Sequence, residues 1–256
     1  MNFVISLPSA DDRRLHIAEE FEKKSITYTF FDAVQPYQIH EMEEKYGFSL
    51  SNSCLTGGEK ACFFSHVEIW NRAVEQKLPY VAIFEDDVFL CRDASDFLTN
   101  FDWIPQSCHI IKLEMFDEYV LMELKKIFLN NNYSLRKLKR KHLGTAGYIL
   151  SLDGAISYLN YIKDKDINVP LDHLMFENYL KDGEYSIYQM VSGLSVQADR
   201  IGSNILESQL ERDRSKNKKN TVEIKNNLNL MEKIKREILR LIYQVKIKFC
   251  RVGFHF

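Results

Sequence analysis

The chain is poor in the residues that make a protein fibrous, disulfide-stapled or membrane-spanning. Only 10 glycines and 5 prolines occur in 256 residues, too few for a collagenous or low-complexity chain. The five cysteines (Cys54, Cys62, Cys91, Cys108 and Cys250) are odd in number and widely spaced, with no C-x-x-C pair. This argues against a disulfide framework, gives no zinc spacing for Cys62 and His66, and makes a reducing cytosol the expected setting. No run of ~18 apolar residues is present, so no spanning helix is expected. The start, Met1 to Leu7, is too short for a signal-peptide core and soon meets Asp11 and Asp12. Neither an internal repeat nor a nucleic-acid recognition motif is visible, so nucleic acid is not an expected partner.

What is present suits a folded enzyme-sized body. Hydrophobic residues make up 45% of the chain, with 17 Phe and 13 Tyr, ample for a core in one large or two small domains. The net charge of −2 conceals an asymmetry. Residues 212–256 hold 13 Lys/Arg against 4 Asp/Glu, whereas the rest holds 21 against 32. A globular domain over 1–211 followed by a basic tail over 212–256 is the expected organisation, the tail meeting an anionic surface.

Phe3–Leu7 reads as a first strand. Ser9 and Asp12 then form a capping-box pattern, and Leu15, Ala18 and Phe21 follow at helical spacing. Ile26–Val34 is a second strand candidate, so the chain opens β–α–β with parallel strands. Residues 38–54 read as an excursion around a short helix. A long helix is predicted from about Gly58 to Gln76, with Phe63, Val67, Trp70 and Val74 as its apolar stripe. Cys108–Met115 and Thr145–Leu152 are further strand candidates, and Asp172–Leu180 a helix with Asp172 as possible N-cap. Asn130–His142, with Arg136, Lys137, Lys139, Arg140 and Lys141, reads as a solvated loop or a flap over an anionic substrate. Beyond a charged linker, Arg212–Asn220, apolar residues from Ile224 to Phe249 recur at steps of three and four. That pattern describes an amphipathic helix with a basic face, suited to a membrane surface or to a coiled coil.

The densest chemical signal is Tyr80-Val81-Ala82-Ile83-Phe84-Glu85-Asp86-Asp87-Val88. A short apolar run reads as a buried strand of a parallel sheet, and ligands bind beyond the carboxyl ends of such strands. Three carboxylates there repel one another unless a cation lies among them. Hard divalent ions take oxygen ligands and share them with substrate phosphates. A metal–diphosphate site and a plain acidic turn or helix start are both consistent with the triplet alone.

Other segments carry a family resemblance. Val4-Ile5-Ser6-Leu7 with Asp12-Arg13-Arg14, then Phe30-Phe31-Asp32-Ala33-Val34, resemble the start of glycosyltransferase family 25. Thr56 to His66 is similar to its Gly-Glu…Ser-His motif, and Glu85-Asp86-Asp87 to its acidic nucleotide-sugar motif. Gly144 to Ser151, Gly154-Ala155 and Val169-Pro170-Leu171-Asp172 resemble its later segments. The similarity covers roughly residues 2 to 205, with the motifs in the family's order. It implies a GT-A-like α/β fold of Rossmann type and an inverting transfer that uses a divalent metal, Mn2+ or Mg2+, and UDP-galactose. The family includes lipooligosaccharide galactosyltransferases of Gram-negative bacteria, and related domains occur in collagen-modifying enzymes. A lipid-linked acceptor would place the enzyme at the cytoplasmic face of the inner membrane, as a peripheral protein.

With that resemblance, Asp87 is the expected metal ligand, Asp86 a ribose or metal ligand, and Glu85 an outer partner of the same ion. Arg13 and Arg14 are candidate donor contacts, since arginine forks suit phosphates; two solvated first-turn arginines are the alternative. Asp32 either meets the uridine or caps a loop. Glu59, Cys62 and His66 share one helix face. Glu59 and His66 are expected to touch the donor sugar or acceptor, the alternatives being a helix-start acid and a core histidine. Asp172 is the candidate general base, or a helix cap. Glu114 is the next candidate base, and His173 a weaker one that could instead complete a metal shell. Two other classes remain open: a metal-dependent phosphohydrolase or nucleotidyltransferase using Asp86 and Asp87, and a non-enzymatic interaction protein dimerising through its tail. Glucose and N-acetylgalactosamine donors remain alternatives to galactose.

Overall fold

The computed structural model describes residues 1–129, 133–163 and 165–201. The linker and amphipathic tail read from residues 212–256, including Cys250, lie outside the described residues.

The chain opens as β1 (Asn2–Ser6), α1 (Asp11–Glu22) and β2 (Thr29–Asp32). A 3-10 turn (Pro36–Gln38) leads into α2 (Ile39–Tyr46), closed by Gly47 in the left-handed conformation at φ 71°. Next come α3 (Gly57–Glu75), β3 (Tyr80–Glu85), β4 (Val88–Leu90), α4 (Ser95–Leu98) and β5 (Ile110–Lys112). β6 (Ile127–Phe128), β7 (Ser134–Lys137), β8 (Gly147–Ser151) and α5 (Leu152–Lys163) follow. The described chain ends through α6 (Leu171–His173), a π turn (Leu174–Asn178), α7 (Tyr179–Asp182), β9 (Ile187–Val191), β10 (Ser195–Gln197) and a 3-10 turn (Ala198–Ile201).

Eight strands form one sheet in the order β2-β1-β3-β8-β5-β9-β7-β6, and β10 pairs with β4 in a small ribbon. β2, β1 and β3 run parallel, as the β–α–β opening predicts. The acidic strand differs from expectation on its other side, because β8 pairs antiparallel to it. β8 is antiparallel to β5 as well, which leaves β5 parallel to β9 and gives a mixed, parallel-rich sheet. Alternation along β1 and β3 divides the core between the two faces. Phe3, Ile5, Val81 and Ile83 pack with α3 and α5, whereas Val4, Ala82 and Phe84 pack with α1 and α4. Helices on both faces of one sheet make a three-layer α/β fold, the GT-A-like class expected.

Three local readings are corrected. Ser9 does not cap α1; Ala10 holds the N-cap position without a side-chain hydrogen bond. Asp172 is not an N-cap either, because Pro170 precedes the helix and Asp172 lies within its first turn. The basic stretch read as a loop contains β7, where Ser134, Leu135 and Arg136 are buried. Its charge is tolerated because Arg136 Nε donates to the Glu123 carbonyl at 2.7 Å and β9 pairs along its full length.

Candidate active site

β1 and β3 lie side by side in register Ile5 to Glu85, so their carboxyl ends open on the same edge. Asp86 and Asp87 form the tight connection into β4, each 7% exposed. A cleft of about 260 Å³ lies here, between the ends of β1 and β3, the start of α1 and one face of α3. Arg13, Cys62, His66, Glu85, Asp86 and Asp87 are among its lining residues.

Arg13 sits in the first turn of α1, where the helix dipole disfavours a cation. Its compensation is Asp86, with which it forms an ion pair. The same guanidinium also lowers the proton affinity of Asp87. Even so, burial and mutual repulsion hold the Glu85 and Asp87 carboxyls above the usual carboxylate range. Neutral donors moderate this: Thr145 Oγ1 donates to Glu85 at 2.6 Å, and Gln197 Nε2 lies 3.4 Å from Glu85 and from both Asp87 oxygens. An under-compensated cluster of buried carboxylate oxygens is the donor set a hard divalent cation prefers.

The segment opening β8 links this cluster to the other candidate acids. Gly144 N approaches Asp172 Oδ2 at 3.4 Å, Thr145 reaches Glu85, and Ala146 N donates to Glu114 Oε2 at 3.1 Å. Gly144 adopts φ +85°, and a Cβ there would lie 2.5 Å from both Glu114 carboxylate oxygens. Glycine is therefore required on two counts. Asp172 also accepts from the His173 N–H at 2.8 Å and remains half-buried. His173 Nδ1 contacts Glu177 at 2.9 Å, which holds that carboxylate well below its ordinary range.

Glu114 is fully buried and bound to Lys112 Nζ at 2.9 Å, and Lys112 also donates to the Gly144 carbonyl. A carboxylate so enclosed serves the core, which weakens it as a base for an incoming hydroxyl. Three further candidates are also placed away from the cleft lining. Arg14 donates to the carbonyls of Ser6 and Leu7 at 3.1 Å, pairs with the exposed Asp32 and lies over the Phe30 ring. It thus ties off the ends of β1 and β2. Glu59 closes a reciprocal capping box with Thr56, at 2.9 and 3.2 Å.

His66 does line the cleft, and it is 0% exposed. Burial pushes its pKa down to about 3, so the ring is neutral. Nδ1 meets the Tyr148 hydroxyl at 2.7 Å, and that hydroxyl also accepts from Trp70 Nε1 at 2.9 Å. Cys62, His66 and Glu85 place their ligand atoms within 4.8 Å of one another, a second grouping of metal-ligand types.

Sequence reasoning missed four contributors. Thr145 and Tyr148 belonged to the Gly144 to Ser151 segment, in which neither was given a role. Lys112 sits in an apolar strand, where an isolated lysine is a signal that a buried partner is near. Gln197 carried no signal at all, and reaches the acids because β10 pairs with β4 in register Gln197 to Val88.

A three-layer α/β fold with an acidic cleft at the strand ends places the site where ligands bind in open α/β sheets. Comparison with known proteins supplies the family. The description "Glycosyltransferase family 25 (LPS biosynthesis protein)" matches residues 1–175. The chain is 34% identical over 258 residues to the lipooligosaccharide biosynthesis protein lic2B of Haemophilus influenzae, covering 95% of each chain. It is 33% identical over 255 residues to the lacto-N-neotetraose biosynthesis glycosyltransferase LgtE of Neisseria gonorrhoeae, covering 93% of this chain and 88% of that one. To LgtB of Neisseria meningitidis serogroup B it is 33% identical over 233 residues, covering 85% and 84%. The chain belongs to glycosyltransferase family 25 and is a glycosyltransferase.

Proposed function

We propose that this glycosyltransferase moves galactose from UDP-galactose, with inversion, onto a lipooligosaccharide acceptor. The observation that carries the reading is the under-compensated Glu85-Asp86-Asp87 cluster, with Asp86 and Asp87 buried, lining the cleft beside Arg13. The names of the relatives, in lipooligosaccharide and lacto-N-neotetraose biosynthesis, support the acceptor class.

Asp87 and Glu85, with Asp86, would hold Mn2+ or Mg2+, which supplies Lewis-acid stabilisation of the diphosphate charge. Arg13 keeps Asp86 in place and adds a fixed positive charge near the leaving group. Asp172 takes the proton of the acceptor hydroxyl as its oxygen bonds to C1 of the sugar. The C1–O bond to UDP breaks with its electron pair going to the diphosphate. Asp172 is the preferred base because its carboxylate is half-buried and accepts only from backbone N–H groups in its described hydrogen bonds, whereas Glu114 is sealed against Lys112. The basic tail would hold the enzyme on the anionic inner face of the cytoplasmic membrane, next to its lipid-linked acceptor.

Incubation with UDP-galactose, UDP-glucose and UDP-N-acetylgalactosamine, Mn2+ and truncated lipooligosaccharides, read by product mass, tests the reading. A hexose added only from UDP-galactose supports it. Addition from another donor corrects the sugar, and nucleotide hydrolysis without any glycosylated product overturns the transfer.

A further inference from the structure

The cleft side of His66 has a property that the proposed reaction leaves unused. Its Nε2 is fully buried, has no hydrogen-bond partner among the described residues, and lies 4.0 Å from Glu85 Oε1. The other side of the ring settles what that nitrogen carries. Trp70 Nε1 can only donate, so the Tyr148 oxygen accepts from it. The one proton of the phenol is then available for His66 Nδ1 at 2.7 Å. If Nδ1 held the proton instead, two donors would meet on the Tyr148 oxygen and the buried phenolic proton would compete for an acceptor. The chain Trp70 N–H to Tyr148 O–H to His66 Nδ1 satisfies every member. It leaves a neutral imidazole with its proton on Nε2, aimed at the cleft.

We propose that Trp70 and Tyr148 are positioning residues that fix His66 as an Nε2–H donor, and that His66 with Glu85 binds a hydroxyl group of the sugar being transferred. The spacing selects the ligand. At 4.0 Å, Nε2 and Glu85 Oε1 are too far apart to bond each other. An oxygen about 2.8 Å from each would bridge them at close to a right angle. Against an ionised Glu85, that oxygen must accept from His66 and donate to Glu85, which a hydroxyl does and a phosphate oxygen does not. A metal ion at Cys62, His66 and Glu85 would need the Nε2 lone pair, which this tautomer has already used.

The inference rests on the nucleotide-sugar reading, and its test separates the two. The full chain is labelled with 15N in its histidine rings, and the His66 signals are identified by their loss in His66→Gln. The expected spectrum is a single neutral tautomer protonated at Nε2, unchanged by Zn2+. Tyr148→Phe and Trp70→Phe should each weaken that preference. UDP-galactose should shift the Nε2–H signal, whereas UDP should not. His66→Gln should raise Kd for UDP-galactose about ten-fold and leave Kd for UDP unchanged, the size of one lost hydrogen bond. A ring protonated at Nδ1, or a Zn2+-dependent shift of Nε2, overturns the tautomer assignment. Equal effects of His66→Gln on UDP and UDP-galactose overturn the hydroxyl assignment. Failure of both nucleotides to bind, with the tautomer intact, instead overturns the donor reading and the hydroxyl contact with it.

Discussion

Two groups of acid sit at the ends of β3 and β5, the strands that flank β8 in one sheet. Glu114 follows β5 and is fully buried, yet its cation is built in: Lys112 lies 2.9 Å from Oε2, and Ala146 N–H donates to the same oxygen. Glu85, Asp86 and Asp87 follow β3, where Arg13 pairs with Asp86 and neutral amide and hydroxyl groups meet the others. Burial raises the proton affinity of the carboxyls in both, but Lys112 opposes that rise at Glu114, whereas at Glu85 and Asp87 the neighbouring carboxylates add to it. Burial of charge is common to both and does not mark the active site. Incomplete compensation next to a cleft does. The same contrast separates Arg13, which faces the cleft, from Arg14, which is consumed by the carbonyls ending β1.

The sharpest way to break the comparison is to open the closed pair. Glu114→Gln should leave the Lys112 ammonium buried without a counter-charge and cost about 3–5 kcal/mol of stability. Chemical denaturation measures it directly. Lys112→Met combined with Glu114→Gln should recover much of the loss, since no charge is then stranded. If the single variant is as stable as the parent, the two acid groups do not differ in the way described.

Asp87→Asn probes the open cluster and should show the reverse pattern. Activity should fall about 10²–10³-fold, the cost of losing one preorganised stabiliser of transition-state charge. Folding stability should hold or rise, because a repelled carboxylate has been removed. EDTA should abolish turnover of the parent and Mn2+ should restore it. A native rate in Asp87→Asn, or indifference to EDTA, would refute the metal assignment.

How far these differences could be read in the sequence depends on the range over which each residue acts. β3 and its acids were legible because an apolar run ending in three carboxylates is a local pattern. The parallel β1–β2–β3 core was legible for the same reason, through the spacing between strands and helix. β7 was not, because Arg136 looks solvated until the Glu123 carbonyl and β9 are brought to it. The pairing of β8 against β3 was equally hidden, since strand direction depends on connections that no short window contains. Gln197 lies 110 residues from Asp87, and only the β10–β4 ribbon brings them together. Glu59 and Asp172 teach the converse: each stood near a predicted helix start, yet Glu59 closes a capping box and Asp172 does not cap.

Asp172→Asn tests the acid that hangs from the same β8 segment but belongs to neither group. Loss of a general base should lower kcat by ~10²-fold with donor affinity unchanged. Binding of UDP-galactose by calorimetry, set beside turnover, separates the two quantities. An unchanged kcat would remove Asp172 from the chemistry and leave its contacts with Gly144 and His173 as purely architectural.

The smallest effect concerns the closed side alone. His142 Nε2 accepts from the Asp117 N–H at 2.8 Å, and Nδ1 donates to Gln189 Oε1 at 2.7 Å. Gln189 in turn donates to the Glu114 carbonyl at 3.2 Å, so this histidine belongs to the scaffold around Lys112 and Glu114. Burial pushes its pKa down to about 3 from an ordinary value of 6.5. The sign follows from linkage. Below pH 6.5 the unfolded chain takes up a proton that the folded one refuses, so the contribution of neutral His142 is complete above that pH and declines as pH falls toward about 3. The slope from one such group is at most ~1.4 kcal/mol per pH unit. His142→Gln can keep both hydrogen bonds without titrating. Its stability should therefore fall less steeply than that of the parent between pH 6.5 and 4.5, by up to that amount per unit. Parallel stability curves for the two proteins would show that His142 titrates alike in the folded and unfolded chain, so that the scaffold around Lys112 and Glu114 does not exclude its proton.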